Sequence, residues 1–268
     1  MAATGHPHGR AVAMAVAVAV LAAAARLASS DRAAPTSSGP GRWPRGMHSI
    51  LSSYPGVRLL HRDPDVFAVD DFFSVQECAI LLSLGRESDK LRRDEVVGDA
   101  DCADCDHYRT SSSRLVFSTQ IPPETPAKIE KLLMASRTRL EHMKVLHYQQ
   151  GEYYKPHTDG STGGSSHSGF ENSTRLATLF VYLNDVEQGG ETAFPQLDLS
   201  IKPRAGMAVV HFPTSYDKVG DDRTEHTSLP VLKGEKFLFV TWLWRDPRTR
   251  RVVLDSDGGV LGTLPMGA

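Results

Sequence analysis

The chain has 268 residues, of which 40% are hydrophobic and 23% are charged, and its formal net charge is −2. This length favours one large domain or two small ones, and the composition is ordinary for a globular protein. The body of the chain has no long basic run, so nucleic acid is not an expected partner, and three cysteines are too few for a disulfide-built scaffold.

The N-terminal region has the composition of a targeting segment. Residues 11–25 form a run of Ala, Val, Met and Leu. The run is short for a membrane span and fits the apolar part of a secretory signal cleaved before Ser29, while a slightly longer run would make an uncleaved signal anchor. A chloroplast transit peptide is a third alternative. We assign residues 1–28 to this signal peptide or anchor and residues 29–55, rich in Ser, Pro, Gly and Arg, to a flexible linker.

The folded domain is predicted to begin near Gly56. Residues 66–69 read as a short strand, and Ser74 then has the character of a helix N-cap, with Glu77 at the capping-box position. Apolar residues at helical spacing predict a second helix over 126–139.

Strands separated by turns dominate the rest of the domain. The clearest are predicted at 145–149, 175–184, 207–212 and 237–244. Many strands without long intervening helices favour an antiparallel sandwich or jelly roll, mainly β with flanking helices (α+β). We assign residues 56–248 to this domain and 249–268 to a C-terminal tail.

Two of the three cysteines form a CxxC pair, Cys102 and Cys105, within an acidic stretch. No second pair accompanies them, so a structural zinc site is not predicted. The neighbouring carboxylates would raise the thiol pKa, which disfavours a thioredoxin-like redox centre. A local disulfide and two free thiols both remain open, whereas Cys78 is predicted to be a small core residue.

A His-x-Asp pair, His157 and Asp159, follows a predicted strand. On extended backbone, side chains two residues apart lie on the same face, so this imidazole and carboxylate could hold one divalent metal ion from one side. The best third ligand is His226. Two histidines and one carboxylate form the facial triad of non-haem Fe(II) oxygenases, which leaves coordination positions open.

A lysine, Lys236, opens the apolar segment that follows His226. An unpaired charge in such a strand would be costly, and an anionic ligand such as the far carboxylate of a chelating oxo-acid would compensate for it. Lys236 and Trp242 are six residues apart and therefore face the same side of one strand. The alternative is that Lys236 lies at the strand start and reaches water.

Eight short segments between about Asp65 and Arg245 carry a family resemblance. In chain order they are Arg109-Thr110-Ser111-Ser112, Leu146-His147-Tyr148, Lys155-Pro156-His157-Thr158-Asp159, Arg175-Leu176-Ala177-Thr178 with Tyr182-Leu183-Asn184-Asp185-Val186, Gly189-Gly190-Glu191-Thr192-Ala193-Phe194-Pro195, Lys202-Pro203-Arg204-Ala205-Gly206, and Leu232-Lys233-Gly234-Glu235-Lys236. Together they resemble the prolyl 4-hydroxylases of the plant and algal type, which belong to the Fe(II)- and 2-oxoglutarate-dependent dioxygenases.

The resemblance implies a double-stranded β-helix and a defined site. His157, Asp159 and His226 would bind Fe(II), and Lys236 would bind the 5-carboxylate of 2-oxoglutarate. The interval between His226 and Lys236 matches the family, so His226 is preferred to His211 as the distal ligand. Two residues, each alone readable as a core residue, would line the 2-oxoglutarate pocket: Tyr148 and Thr178. Six residues would shape a peptide groove: Arg109, Ser111, Glu141, Tyr154, Arg175 and Trp242.

The implied reaction hydroxylates peptidyl proline at C4 and converts 2-oxoglutarate and O2 to succinate and CO2, with L-ascorbate to rescue oxidised iron. The implied substrate is a proline-rich peptide or protein, and the implied location is the endoplasmic reticulum lumen, with a possible single membrane anchor. Oligomeric state is left open. Trp244 departs from the family, which often has His there, and this puts a substrate contact in doubt.

Three alternatives remain. The same chemistry could act on another peptidyl residue or on a small molecule. A binding module could have kept the groove and lost turnover, although it would not need the triad together with Lys236. A cupin-like protein could use another metal ion for unrelated chemistry.

Overall fold

The computed structural model describes residues 47–94, 108–160, 169–170, 172–254 and 260–265. The predicted signal or anchor segment and the cysteines Cys102 and Cys105 lie outside these residues. Those predictions therefore remain predictions.

The first helix begins as predicted. Helix α1 spans Val75–Gly85, the hydroxyl of Ser74 accepts a hydrogen bond from the backbone N–H of Glu77, and the backbone N–H of Ser74 donates to the Glu77 carboxylate. These two bonds form a capping box, which satisfies two of the N–H groups that a helix start leaves free. Among the described residues, no helix has the length and apolar character needed to cross a membrane.

The second helix is shorter and lies earlier than the predicted 126–139. Helix α2 spans Glu124–Leu133 and ends at Met134, whose φ of 48° is left-handed. A left-handed residue terminates the α-helical hydrogen-bond pattern. The last part of the predicted helix is instead a single 3-10 turn over Arg137–Arg139. The predicted apolar face is confirmed, because Ile129, Leu132 and Leu133 are all buried.

Strands make up most of the domain. Within the described part of the chain they are β1 Val57–His61, β2 Val66–Val69, β3 Arg92–Arg93, β4 Ser112–Val116, β5 Met143–Tyr148, β6 Tyr154–His157, β7 Arg175–Tyr182, β8 Gln188–Gly189, β9 Thr192–Phe194, β10 Leu199–Ile201, β11 Ala208–His211, β12 His226–Ser228, β13 Val231–Lys233, β14 Lys236–Trp244, β15 Arg250–Leu254 and β16 Val260–Pro265.

Two antiparallel sheets form the framework. The larger has the order β1-β2-β11-β7-β14-β5-β4-β3, and the smaller has the order β10-β9-β12-β6. Non-consecutive strands are neighbours in both sheets, as expected for a jelly roll rather than a simple meander. The predicted fold class, mainly β with flanking helices, is confirmed.

The two faces of the larger sheet have different partners. Along β14, Phe237 and Phe239 join a core cluster that contains Leu81 of α1 and Leu132 of α2. The alternating Leu238 and Val240 join a second cluster with side chains of the smaller sheet. This alternation follows the two-residue period of a strand, so β14 separates the helix layer from the space between the sheets. Lys236 and Trp242 share the parity of Leu238 and therefore belong to the inter-sheet side.

The packed domain begins earlier than the predicted boundary at residue 56. Ile50 is buried in the helix-side core, and the ring of the buried His48 hydrogen-bonds to the carbonyl of Leu133 (2.7 Å) and to the hydroxyl of Tyr216 (2.8 Å). Composition indicated a linker here, but these tertiary contacts hold the segment against the domain. At the other end, the predicted tail contains the paired strands β15 and β16.

Candidate metal centre and adjoining groove

Strand pairing in the smaller sheet brings the three candidate metal ligands together. His157 ends β6, His226 begins β12, and the two residues are directly opposite each other. The Nε2 atom of His157 lies 3.8 Å from Oδ1 of Asp159, and the Nε2 atom of His226 lies 3.7 Å from Oδ2. All three ligand atoms are within 4.8 Å of one another. These separations exceed hydrogen-bond lengths and leave space for one ion between the ligands.

Backbone carbonyls orient both imidazoles. The Nδ1 atom of His157 is 2.8 Å from the carbonyl oxygen of Lys155, and that of His226 is 3.2 Å from the carbonyl oxygen of Thr224. With the proton assigned to Nδ1 by these bonds, Nε2 is the unprotonated nitrogen on each ring. A second-sphere carbonyl of this kind is the usual partner of a metal-binding histidine. Both rings therefore present a lone pair toward Asp159.

The protonation states of the three side chains suit a cation. Burial lowers the pKa of His157, and burial together with the neighbouring His157 lowers the pKa of His226 well below its usual range. Burial alone would raise the pKa of Asp159, but the contact with His211 and the electrostatic interactions with His226 and His157 hold it well below its ordinary value. Two neutral imidazoles and one carboxylate are the deprotonated donors that a divalent ion requires.

A fourth buried histidine stands beside the carboxylate of the cluster. His211 is fully buried, its Nε2 atom is 3.7 Å from Oδ2 of Asp159, and its ring centroid is 4.7 Å from that of His226. Neither of its ring nitrogens has a hydrogen-bond partner in the described part of the chain. Thr178, which we expected to line the 2-oxoglutarate pocket, lines the cavity and also donates a hydrogen bond of 2.8 Å to the same Oδ2 atom. Asp159 is thus held by Thr178 with His211 alongside.

Lys236 is fully buried, so the alternative in which its ammonium reaches water is wrong. Its Nζ atom donates to the hydroxyl of Ser228 at 2.8 Å and lies 5.2 Å and 5.6 Å from the ring centroids of Tyr148 and Tyr182. Burial lowers the pKa of Lys236 to about 7. Within the described residues, no carboxylate forms an ion pair with this ammonium. Such a charge is costly until an anion joins it.

One cavity of about 340 Å³ connects these parts. Its walls include the three candidate ligands together with Tyr148 and Ser228, two of the residues that contact Lys236. Ser228 lies two residues after His226 on β12, so both side chains face the same side and are separated by roughly 7 Å of strand rise. That spacing is comparable to the length of a five-carbon dicarboxylate. The cavity can therefore present a metal ion at one end of such an acid and a cation at the other.

The cavity opens toward a first ion pair that fixes an aromatic ring. Arg109 pairs with Asp94 at 2.7 Å, and its guanidinium lies 4.6 Å from the ring centroid of Tyr154. Tyr154 in turn stacks on His157 with a centroid distance of 3.5 Å. Ser111, expected to contact substrate, is fully buried and instead bonds to both partners of the pair. Ser111 therefore helps to hold Arg109 and Asp94 in position.

A second ion pair fixes the other wall. Arg175 donates two hydrogen bonds of 3.0 Å to the carboxylate of Glu141, and its guanidinium lies 4.3 Å from the ring of Trp242. The indole N–H of Trp244 also donates to Glu141, at 2.8 Å. Trp244, which stands where the family often has His, is therefore buried and holds the Glu141 carboxylate by a hydrogen bond.

Comparison with known proteins identifies the family. The model of the 2OG-Fe(II) oxygenase superfamily matches residues 143–244, which contain the metal-ligand cluster and Lys236. The chain belongs to this superfamily.

Several relatives of this oxygenase are named as prolyl 4-hydroxylases. It is 28% identical over 216 residues to the Arabidopsis thaliana protein named Probable prolyl 4-hydroxylase 6, covering 70% of this chain and 71% of that protein. It is 29% identical over 188 residues to the human prolyl 4-hydroxylase subunit alpha-1, covering 67% of this chain but only 34% of the subunit. Among solved structures, the viral collagen prolyl hydroxylase from Paramecium Bursaria Chlorella virus-1 matches with a TM-score of 0.52 and 26% identity, over 68% of this chain and 96% of that one.

Several contacts of this oxygenase were not identified from its sequence. Asp94 pairs with Arg109, His211 lies beside Asp159, and Ser228 binds Lys236. Lys144, which also lines the cavity, was missed as well, although the sequence contained a signal for it. It lies four residues before Tyr148, so on a strand the two side chains face the same side. The other contacts depend on strands that are distant in sequence.

Proposed function

We propose that the protein hydroxylates peptidyl proline at C4, using Fe(II), O2 and 2-oxoglutarate and giving succinate and CO2. One observation carries this proposal: a two-histidine, one-carboxylate cluster lines a cavity beside an aromatic groove, and a buried lysine contacts two wall residues of the same cavity, Tyr148 and Ser228. A binding module has no use for a buried ammonium, whose burial costs free energy in the absence of an anion.

The cluster would hold the metal ion from one side. His157, Asp159 and His226 supply three donors, so an octahedral ion keeps three positions for other ligands. Fe(II) bound there supplies the one-electron and O2 chemistry, which protein side chains cannot provide. The backbone carbonyls behind both imidazoles and the hydroxyl of Thr178 behind Asp159 hold the donors in place before the ion arrives.

The far carboxylate of 2-oxoglutarate would bind at Lys236. The ammonium is already directed by its hydrogen bond to Ser228, so little reorganisation is needed when the anion binds. Because the site is buried, the ion pair is weakly screened by water and salt. Tyr148 would cover this end of the co-substrate, since its ring lies against the ammonium.

The aromatic groove suits an extended proline-rich peptide. A polyproline II helix is preformed and lacks internal hydrogen bonds, so flat rings can bind it at low entropic cost. Tyr154 and Trp242 provide such rings, and the guanidinium groups of Arg109 and Arg175 lie against them. Both arginines are fixed by carboxylates, which keeps the groove ordered without substrate.

Ascorbate and an endoplasmic reticulum location are part of the proposal. Ascorbate would return oxidised iron to Fe(II) after turnovers in which the peptide is not hydroxylated. The apolar run at residues 11–25 supports entry into the secretory pathway, either with a cleaved signal or with a single anchor. The same chemistry on another peptidyl residue or on a small molecule is the alternative.

The test is turnover by the full chain with Fe(II), ascorbate and 2-oxoglutarate, with and without Ser-Pro-rich peptides. We expect peptide-stimulated succinate formation and a peptide mass higher by one oxygen atom. His157→Ala should abolish both, whereas His61→Ala, remote from the cavity, should abolish neither. Succinate without peptide oxidation would discard proline as the target, and no turnover by folded, iron-loaded protein would favour the binding module.

A further inference from the structure

Lys144 places a positive charge in the peptide groove. It lies on β5 with the same parity as Leu146 and Tyr148, and all three side chains line the cavity. Within the described residues, its ammonium has no hydrogen bond and no ion pair. Burial lowers the pKa of Lys144. The charges of Asp94 and Glu141 oppose this shift, although neither carboxylate forms an ion pair with the ammonium.

The other charges in the groove are already paired. Arg109 is bound to Asp94 at 2.7 Å, and Arg175 is bound to Glu141 by two hydrogen bonds. Each pair is neutral, so Lys144 leaves this part of the cavity with one excess positive charge. A neutral peptide that covered the groove would desolvate the ammonium without replacing its water, which is unfavourable.

The position of Lys144 distinguishes it from the co-substrate lysine. In the pairing of β5 with β14, Tyr148 is opposite Lys236 and Lys144 is opposite Val240. Four residues of strand separate the two lysines by roughly 13 Å. Trp242 follows Val240 by two residues, so Lys144 belongs to the outer, peptide-binding end. An anion at Lys144 would therefore come from the peptide and not from 2-oxoglutarate.

We propose that the groove selects proline-containing peptides that carry a carboxylate close to the target proline, and that Lys144 determines this specificity. This inference rests on the proposed function. An ammonium–carboxylate hydrogen bond is charge-assisted and stronger than a neutral one. The carboxylate could belong to an Asp or Glu side chain or to the C-terminus of the peptide, and both sources present the same chemistry to Lys144.

The experiment compares matched peptides on the full-length protein. One series places Glu, Gln or Lys at single positions on either side of the proline, and another compares a C-terminal acid with its amide. For at least one Glu position or for the C-terminal acid, we expect a KM about tenfold lower than for the neutral match, equivalent to about 1.4 kcal/mol. Whichever series shows the effect identifies the source of the carboxylate.

The variants attribute the preference to one residue. Lys144→Gln should bring the acidic and neutral KM values together, and Lys144→Glu should reverse the order in favour of the Lys peptide. Lys202→Gln removes the same charge at an exposed position outside the cavity and should keep the preference. Calorimetric binding of 2-oxoglutarate at the Lys236 end reports whether each variant is folded.

Fluorescence anisotropy with labelled peptides separates this inference from the proposed reaction. If the acidic peptide binds more tightly and Lys144→Glu reverses the order, charge selection stands even when no peptide is hydroxylated. If peptides are hydroxylated but the acid-to-neutral ratio is unity, or is unchanged in folded Lys144→Glu, charge selection is overturned and the proline reaction stands.

Discussion

Replacing Lys236 with methionine should stabilise the protein and abolish its use of 2-oxoglutarate. Methionine has a similar length and no charge, so it fills the same buried space without an ammonium. The pKa of Lys236 falls from 10.5 to about 7 on burial. Since each tenfold change in proton affinity is worth about 1.4 kcal/mol, the charged form carries an unfavourable free energy on the order of 5 kcal/mol. This is an upper bound on the gain from Lys236→Met.

The pH dependence of this gain follows from the lowered pKa. Below about pH 7 the lysine is charged in both the folded and the unfolded chain, so the full cost is present. Between pH 7 and 10.5 the unfolded chain binds more protons than the folded one, and the stability of the unsubstituted protein rises with pH. Without ligands, Lys236→Met should therefore be more stable by several kcal/mol at pH 6.5, and the difference should shrink toward pH 10.

Urea denaturation across this pH range and calorimetric titration of 2-oxoglutarate measure the two effects. Removing one partner of a buried charge pair costs about 2–5 kcal/mol, so 2-oxoglutarate should bind Lys236→Met roughly 30-fold to several thousand-fold more weakly. Lys233→Met, at an exposed position on β13, is the control and should show neither effect. A variant that is less stable at pH 6.5, yet binds 2-oxoglutarate nearly as well, would refute the reasoning.

Two further substitutions test the support of the site and the fold. His211→Phe should weaken metal affinity about tenfold, because residues that position a metal ligand typically contribute 10–100-fold to metal affinity. A competition titration with a metal indicator measures this effect. An unchanged affinity would show that His211 does not position Asp159. Glu77→Gln should lower the free energy of unfolding by about 3 kcal/mol at pH 7, because the buried carboxylate binds Lys128 and Thr125. Burial opposes a lowered pKa of Glu77, but the hydrogen bonds from Lys128, Ser74 and Thr125 lower it below 4.5. The contribution of Glu77 is therefore present above pH 4.5 and is lost as the pH falls through the folded pKa. The free energies of unfolding of the two proteins should converge as the pH falls below 4.5, and a constant gap would contradict this.

Local periodicity was sufficient for the parts of the site that are close together in the sequence. The shared parity of Lys236 and Trp242 is a consequence of strand geometry, and Asp159 follows His157, the last residue of β6, at a spacing of two residues. The capping box at Ser74 is equally local. Each of these features depends on residues less than ten positions apart, so the sequence alone contains the needed information.

Features that depend on pairing between distant strands could not be predicted in the same way. His211 lies beside Asp159 because β11 pairs with β7 in the register that places His211 opposite Thr178. That register is set by the whole sheet and leaves no local pattern. The predicted end of α2 was wrong for a related reason, since Met134 adopts a left-handed conformation that the composition does not indicate. Ile50 was assigned to a linker because residues 29–55 are rich in Ser, Pro, Gly and Arg, although Ile50 is buried in the core.

The central claim is that one cavity holds the two ends of 2-oxoglutarate, the oxo-acid end at the metal and the far carboxylate at Lys236. Anaerobic calorimetry with the Fe(II)-loaded protein tests it by comparing 2-oxoglutarate with 2-oxobutyrate, which lacks the far carboxylate, and with glutarate, which lacks the oxo group. We predict that 2-oxoglutarate binds most tightly, that Lys236→Met lowers its affinity to that of 2-oxobutyrate, and that His226→Ala lowers it to that of glutarate. Equal affinities of the three acids for the unsubstituted protein, or no effect of either substitution, would contradict the account.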